Sequence, residues 1–207
     1  MPSEALLIID VQNDFCPGGA LPVRHGNKVV KALNGYIKYF YQNGLPVFAS
    51  RDWHPETTAH FKKYGGIWPA HCVQNTHGAR FHPQLRLPRS AVVLSKGMHP
   101  KKDNYSAFQA VDSQKRPFLK ILNKMKIMDL YVGGLAADYC VKFSVLDALK
   151  SGLTVYLLAD AIRGVNLKKD DSKKAIDEML RKGAQKITFR QFKKEISQSC
   201  CSCCCCG

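Results

Sequence analysis

The sequence predicts an α/β fold: one domain with a mainly parallel sheet of about six strands and helices on both faces. Two patterns carry that prediction. Short aliphatic runs alternate along the chain with stripes of apolar residues at helical spacing. The runs are continuous rather than alternating, as strands covered on both faces require. Length agrees, since 207 residues fit one ordinary domain and a hydrophobic fraction of 45% can fill a sizeable core. No internal repeat or linker divides the chain.

Ala5 to Ile9 is the first aliphatic run, and it stops at Asp10. Gly18-Gly19 and Pro22 mark a loop, after which Val30, Leu33, Ile37, Phe40 and Tyr41 form a helical stripe closed by Asn43-Gly44. Val47 to Ala49 is a second strand. From Arg51 to Arg89 periodicity fails, and His, Pro, Gly and Trp dominate, as in a long functional loop. Ala91 to Leu94 is a third strand, Ser95 to Ser106 another loop, and Phe118, Ile121, Leu122 and Met125 a second helical stripe.

Leu130 to Val132 is a fourth strand, and Gly133-Gly134 allows a tight turn. Val141, Ser144, Val145, Ala148 and Leu149 then mark one face of a helix. Asp138 is its expected N-cap, which puts Cys140 in the first turn. Free N–H groups and the positive end of the helix dipole favour a thiolate there. Gly152 ends that helix, and Leu153 to Leu158 is a strand finishing at Asp160. Ile176, Met179 and Leu180 with Gly183 mark the last helix, and Lys186 to Phe189 the last strand.

The net charge of +15 suggests nucleic acid or an anionic membrane as a partner. The lysines, however, come in pairs spread along the chain, among them Lys62-Lys63, Lys101-Lys102, Lys168-Lys169 and Lys173-Lys174. No aromatic-interleaved basic stripe and no nucleic-acid motif accompanies them, so a solvated basic surface is expected and no nucleic acid. No apolar run reaches transmembrane length, and the start lacks a secretory pattern, so the expected address is cytoplasmic. Six of the nine cysteines crowd into Cys200 to Cys206. Cys16, Cys72 and Cys140 remain in the body, which suits a reducing compartment rather than a disulfide framework.

In open α/β sheets ligands sit beyond the carboxyl ends of the strands. Asp10, Asp52, Lys96 and the Cys140 turn all lie just past such ends. Asp10 could take the proton of Cys140, and Lys96 could tune both by its charge. Each also has a plainer reading, as a loop cap, an exposed lysine and a small core hydrophobe. Asp52 and His54 sit at i and i+2 of an extended segment, on one side of it. With His60 and His71 they offer one carboxylate and three imidazoles, a set that suits zinc, iron or manganese. Their spacing matches no common zinc motif, so ordinary loop histidines remain the alternative, and His77 and His82 are nearby decoys.

These residues carry a resemblance. Leu7-Ile-Ile-Asp-Val-Gln-Asn-Asp-Phe-Cys-Pro-Gly-Gly-Ala-Leu-Pro-Val23 resembles the opening signature of the nicotinamidases (pyrazinamidases), within the isochorismatase-like cysteine hydrolases. Arg51-Asp-Trp-His-Pro55, Trp68-Pro-Ala-His-Cys-Val73 with Gly78-Ala79, and Gly133-Gly134 through Asp138-Tyr-Cys-Val141 follow in the family's order. The resemblance spans roughly residues 5 to 165. It implies Asp10, Lys96 and Cys140 as a catalytic triad. It implies Asp52, His54, His60 and His71 as ligands of one divalent metal ion, zinc first, with iron or manganese as alternatives. Phe15, Trp68, Tyr105 and Leu135 match substrate-binding positions. Leu135-Ala136 corresponds to the family's cis peptide, and the N–H groups of Ala136 and Cys140 to its oxyanion hole. His60 falls in the family's most variable metal position, and Lys96 is placed by local context.

The implied activity is metal-dependent hydrolysis of nicotinamide, and of pyrazinamide-like analogues, to the acid and ammonia through a thioester, feeding NAD salvage. Two other readings stand beside it: a hydrolase acting on a substrate without a ring nitrogen, and a non-enzymatic polyanion-binding protein. The expected domain is 1–197, with a Cys-rich tail at 198–207 that matches nothing in the family. Membrane association is expected only if that tail is acylated beside Lys193-Lys194, and a homo-oligomer is left open.

Overall fold

The computed structural model describes residues 3–102 and 104–203, the side chains of 197–203 excepted. Six strands lie among them: β1 (Glu4–Ile9), β2 (Val47–Asp52), β3 (Val92–Lys96), β4 (Asp129–Leu135), β5 (Thr154–Arg163) and β6 (Gln185–Ile187). The helices are α1 (Val29–Gln42), α2 (Phe118–Met125), α3 (Cys140–Lys150), α4 (Asp171–Arg181) and α5 (Phe189–Cys203). The strands form one sheet in the order β3-β2-β1-β4-β5-β6, and every pairing is parallel. The chain therefore winds outward from β1 in one direction, then returns to start again at β4. Such a reversal of winding opens a crevice at the carboxyl ends of the two central strands.

Successive residues of β1 feed opposite cores, as strand geometry dictates. Ala5, Leu7 and Ile9 pack with Phe118 and Leu122 of α2, Val141 and Val145 of α3, and Met179 of α4. Leu6 and Ile8 pack on the other face with Val30, Leu33, Ile37 and Phe40 of α1 and Phe192 of α5. The sheet is thus sandwiched, in agreement with its continuous aliphatic runs. Register then places chemistry. Asp52 pairs with Lys96 across β2 and β3, and Ile9 pairs with Gly134, so Asp10 emerges beside Leu135.

Several details depart from the sequence reading. Tyr41 lies off the buried stripe of α1 at 59% exposure, and Tyr36 is fully buried in its stead. β5 does not stop at Asp160 but runs to Arg163, after a register shift opposite Val132 and Gly134. Asp160 is kept within the strand because its carboxylate accepts from Tyr36 Oη at 3.2 Å and Phe189 N at 3.0 Å. The last strand ends at Ile187, and Phe189 opens α5 instead of closing a strand. Thr188 and Gln191 explain this: Thr188 N donates to Gln191 Oε1 at 2.9 Å and Gln191 N to Thr188 Oγ1 at 3.5 Å, a capping box. α5 passes through residue 197 without a break.

α5 seals the sheet by aromatic packing. Phe192 is 2% exposed and its ring meets Tyr36, Tyr39, Phe40 and Tyr131 at centroid distances of 4.9 to 6.0 Å. Phe192→Ala is therefore expected to lower unfolding free energy by about 3–5 kcal/mol, read as a fall in urea midpoint at constant slope.

Candidate functional site: a buried thiol beside a histidine cluster

At the crevice, Lys96 reaches in from the end of β3 and is 1% exposed. Its ammonium lies 2.8 Å from Asp10 Oδ2 and 3.4 Å from Cys140 Sγ, and it donates a very short bond to Asp52 Oδ1. Ser50 Oγ donates to the other oxygen of Asp10 at 2.7 Å. Carboxylate oxygens of Asp10 and Asp52 and the sulfur of Cys140 all fall within 4.8 Å of one another. Asp10 has φ of 48°, in the left-handed region. A non-glycine residue is held there at some cost, a feature concentrated at functional sites.

Three acids around one ammonium set the proton balance. Burial pushes the Asp10 carboxyl up, opposed by Lys96 and reinforced by Asp52. Burial would raise Asp52 too, but Lys96 and the neighbouring imidazoles hold it well below the carboxylate range. Lys96, which burial alone would lower, is pushed well above its ordinary value by Asp10, Asp52 and Cys140. The thiol differs from the sequence expectation. Cys140 is the first residue of α3, yet burial outweighs Lys96 and raises it well above an ordinary thiol. At rest the sulfur carries its proton, with a raised carboxyl beside it to receive it.

The helix start also differs. Tyr139, not Asp138, is the N-cap of α3, and it makes no side-chain capping bond. Asp138 instead accepts from Val165 N at 2.9 Å and Asn166 N at 2.7 Å, tying down the loop after β5. The peptide between Leu135 and Ala136 is cis. Among the described residues, neither the Ala136 nor the Cys140 N–H finds an acceptor.

Asp52 joins this centre to a second one. His54 Nε2 lies 3.7 Å from Asp52 Oδ2, and ring nitrogens of His54, His60 and His71 come within 4.8 Å of one another. Backbone carbonyls orient two of the rings: His54 Nδ1 contacts Gly97 O at 3.0 Å and His71 Nδ1 contacts Pro69 O at 2.8 Å. This leaves both Nε2 atoms free, and His54 Nε2 is buried with no hydrogen-bond partner. Burial lowers His71 to about 4, so the ring is neutral at pH 7. Imidazoles held by a carbonyl at Nδ1, with Nε2 left over, are how metal ligands are presented, and these residues fit a divalent ion. The Asp10-Asp52-Cys140 group does not, because the Lys96 ammonium already sits in it. Gly97 is needed for this arrangement: at φ of 68°, a Cβ there would lie 2.5 Å from the His54 ring.

One slot connects the two centres. Asp52, His60, His71 and Cys140 line it, with Phe15, Trp68, Tyr105 and Ala136. Trp68 Nε1 donates to Tyr105 Oη at 3.0 Å, locking two walls together. Leu135 is absent from the lining; its side chain, 1% exposed, packs into the core facing α1. His77 and His82 lie apart, engaged with Asn13 and Gln84. Leu21, Tyr139 and Val165 complete the walls; Leu21 and Tyr139 fall within the sequence motifs with no role assigned to them, and Val165 lies outside the motifs.

Two further residues escaped the sequence reading because their work is done through backbone contacts. Gln12, fully buried, donates to Asp52 O at 2.8 Å and Ala79 O at 2.9 Å and accepts from Asp52 N at 2.8 Å. Asp14 accepts from Cys72 N at 2.7 Å, next to His71. Their signal was present in the opening motif, where polar residues follow the aliphatic strand at alternate positions.

This combination of sheet and buried Lys-Asp-Cys cluster places the chain among the α/β hydrolytic folds with a thiol centre, and comparison makes the placement specific. The family model described as "Isochorismatase domain" matches residues 4–191, and the chain belongs to that family. It is 41% identical to the nicotinamidase of Escherichia coli (strain K12), covering 94% of this chain and 99% of that protein. It is 37% identical to the nicotinamidase/pyrazinamidase of Mycobacterium tuberculosis, covering 85% and 94%. The pyrazinamidase of Pyrococcus horikoshii, solved in complex with zinc, superposes with a TM-score of 0.83 at 44% identity, covering 91% of this chain and 100% of that one.

Two measurements probe the site's construction. Gln12→Leu strands three backbone groups and should cost on the order of 3 kcal/mol in urea unfolding. His71 yields a pH effect with a definite sign. Its folded-state value of about 4 lies below the ordinary 6.5, so protonation favours unfolding. Metal-free protein should therefore lose up to about 3 kcal/mol of stability as pH falls from 6.5 to 4, and His71→Asn should flatten that window.

Proposed function

We propose that the chain hydrolyses nicotinamide, and pyrazinamide-like analogues, to the acid and ammonia through a thioester on Cys140, supplying nicotinate for NAD salvage. The observation that carries this reading is a single slot lined by both the buried thiol and the metal-fitting imidazoles. Asp10 takes the Cys140 proton and the sulfur attacks the carboxamide carbon. The unpartnered N–H groups of Ala136 and Cys140 receive the oxyanion, a contribution of about 3 kcal/mol in comparable sites. Asp10 returns the proton to the departing ammonia, then draws one from the water that cleaves the thioester. Lys96 keeps negative charge affordable on either Asp10 or Cys140 throughout.

A divalent ion, zinc first and iron or manganese as alternatives, would be held by Asp52, His54, His60 and His71 and supply a contact for the ring nitrogen. Phe15 and Trp68 would flank the ring, with Tyr105 fixing Trp68. The slot has only about 30 Å³ free, room for about one water.

Ammonia release from nicotinamide should fall by at least about 10⁴-fold in Cys140→Ala and in Asp10→Asn, with melting curves confirming folded protein. Comparison with benzamide, which has the same shape and no ring nitrogen, isolates the metal's part. Wild type should prefer nicotinamide, and chelation should erase the preference. Equal turnover of the two amides by untreated enzyme would sink the ring-nitrogen role.

A further inference from the structure

A second concave site lies on the outer flank of the sheet, between the start of β3 and α2. It is a groove of about 670 Å³, within the usual range for small-molecule sites. Val92, four residues before Lys96 on β3, is one of its walls, so the groove lies roughly 13 Å back along the strand from the thiol centre. Its deeper side chains are Val92, Ile121 and Met125, buried or half-buried, with Pro117 at one end. Its exposed side chains are Lys115, Arg116, Lys120 and Lys124, and no acidic residue lines it.

The charge arrangement has a cost that the fold does not explain. Lys115, Lys120 and Lys124 make no ion pair among the described residues. Lys120 and Lys124 stand at i and i+4 of α2, a like-charge pair that weakens a helix. Lys120 also sits in the first turn, where the helix dipole already concentrates positive charge. Pro117, the N-cap, offers no side-chain oxygen to that end. Arg116 is fixed rather than free: Asp112, 6% exposed, accepts from Arg116 Nε at 2.7 Å and lies 2.6 Å from Arg116 Nη2. The same carboxylate accepts from Gln114 N and Arg116 N at 2.9 and 2.8 Å, setting the shape of the turn that delivers Lys115. Three lysines with no ion pair among the described residues, together with the Asp112-bound Arg116, thus rim an apolar floor at a helix start whose first N–H, that of Phe118, donates to Ala110 O at 3.2 Å.

We propose that this groove binds a small amphiphilic anion, with an apolar body on Val92, Ile121 and Met125 and a phosphate or carboxylate among Lys115, Lys120 and Lys124. A free molecule fits better than a bilayer surface. Membrane-binding faces project apolar groups outward, whereas here the apolar groups form the floor and the charges the rim.

Octyl phosphate, below its micellar concentration, is the probe, and full-length protein is titrated by calorimetry and by methyl NMR. The Met125 methyl resonance, assigned by its loss in Met125→Leu, should move on titration. Combined K120E and K124E substitution should weaken binding by at least about tenfold, with circular dichroism confirming an intact fold. Inorganic phosphate and octyl glucoside should each bind at least about tenfold more weakly than octyl phosphate. A still Met125 resonance in wild type overturns the proposal without recourse to any charge variant. Equal affinity for inorganic phosphate would reduce the groove to a bare anion patch, and equal affinity for octyl glucoside to an apolar one. Binding to phosphatidylglycerol vesicles but not to octyl phosphate would make it a membrane surface, and each of these results overturns the proposal. None of the readouts depends on amide hydrolysis.

Discussion

The molecule is arranged about one buried ammonium. Lys96 is 1% exposed, and a charge so placed is tolerated only with close counter-charges. Asp10 and Asp52 provide them, and Cys140 Sγ lies 3.4 Å away. These four groups arrive from the ends of β1, β2 and β3 and the start of α3, so the contact is also a junction of four elements. The strands set it up in register: Asp52 and Lys96 are direct neighbours across β2 and β3, and β1 lies between β2 and β4. Losing Lys96, Asp10 or Asp52 would leave the others with uncompensated charge in a dry site, a loss larger than the contact itself contributes. The cluster therefore behaves as a unit, and structure and chemistry share the same constraint.

A second constraint keeps the two halves of the site in step. Asp10 to Phe15 is a short ruler along which alternate residues reach different parts of it. Asp10 holds Lys96, Gln12 holds the backbone of Asp52, Asp14 holds the amide of Cys72, and the ring of Phe15 lies 5.4 Å from that of His71. The long irregular loop between β2 and β3 has no regular hydrogen-bonding ladder of its own. Isolated backbone bridges, His54 with Val73 and Phe61 with Trp68, and buried side-chain bonds from this ruler together hold the imidazoles in place.

What could be read from the sequence follows from where each signal resides. Continuous aliphatic runs gave the parallel sheet because burial on both faces leaves no alternative pattern, and residues just past those runs were candidates for the crevice on topological grounds alone. Asp10, Asp52, Lys96 and Cys140 are recoverable in this way. Tyr41 misled because an aromatic beside Phe40 reads as apolar, whereas the helix turns it about 100° away from the core. Asp138 misled because a cap and a loop tether use the same side chain, and only the return of β5 decides which amides it meets. Leu21, although inside the opening motif, and Val165 had no face assigned: an aliphatic residue in a loop has no periodicity to give it one. Thr188-Phe-Arg-Gln191 has the spacing of a capping box, a signal that the strand reading of Lys186 to Phe189 passes over. The fold thus resides in local pattern, whereas pocket walls and tethers depend on long-range closure that no single window contains.

The thiol shows how that closure decides chemistry. A helix start favours sulfur as an anion by a kcal/mol or so, and Lys96 adds to this, yet burial prevails and the proton stays on Cys140. For an isolated pair, moving that proton to a carboxylate would be uphill by about 4 to 5 pKa units. Here the carboxyl of Asp10 is raised by the same burial, so the two groups' shifts partly cancel in the difference that governs transfer. Whichever of them is ionised, the negative charge stays within reach of the same ammonium. Proton transfer therefore exchanges one neighbour of Lys96 for another instead of separating charge, and little surrounding polar structure has to reorganise. Under the proposed thioester reading, a desolvated thiol that is a poor acid in isolation would become an available nucleophile at the moment of attack, without resting as a thiolate exposed to oxidation.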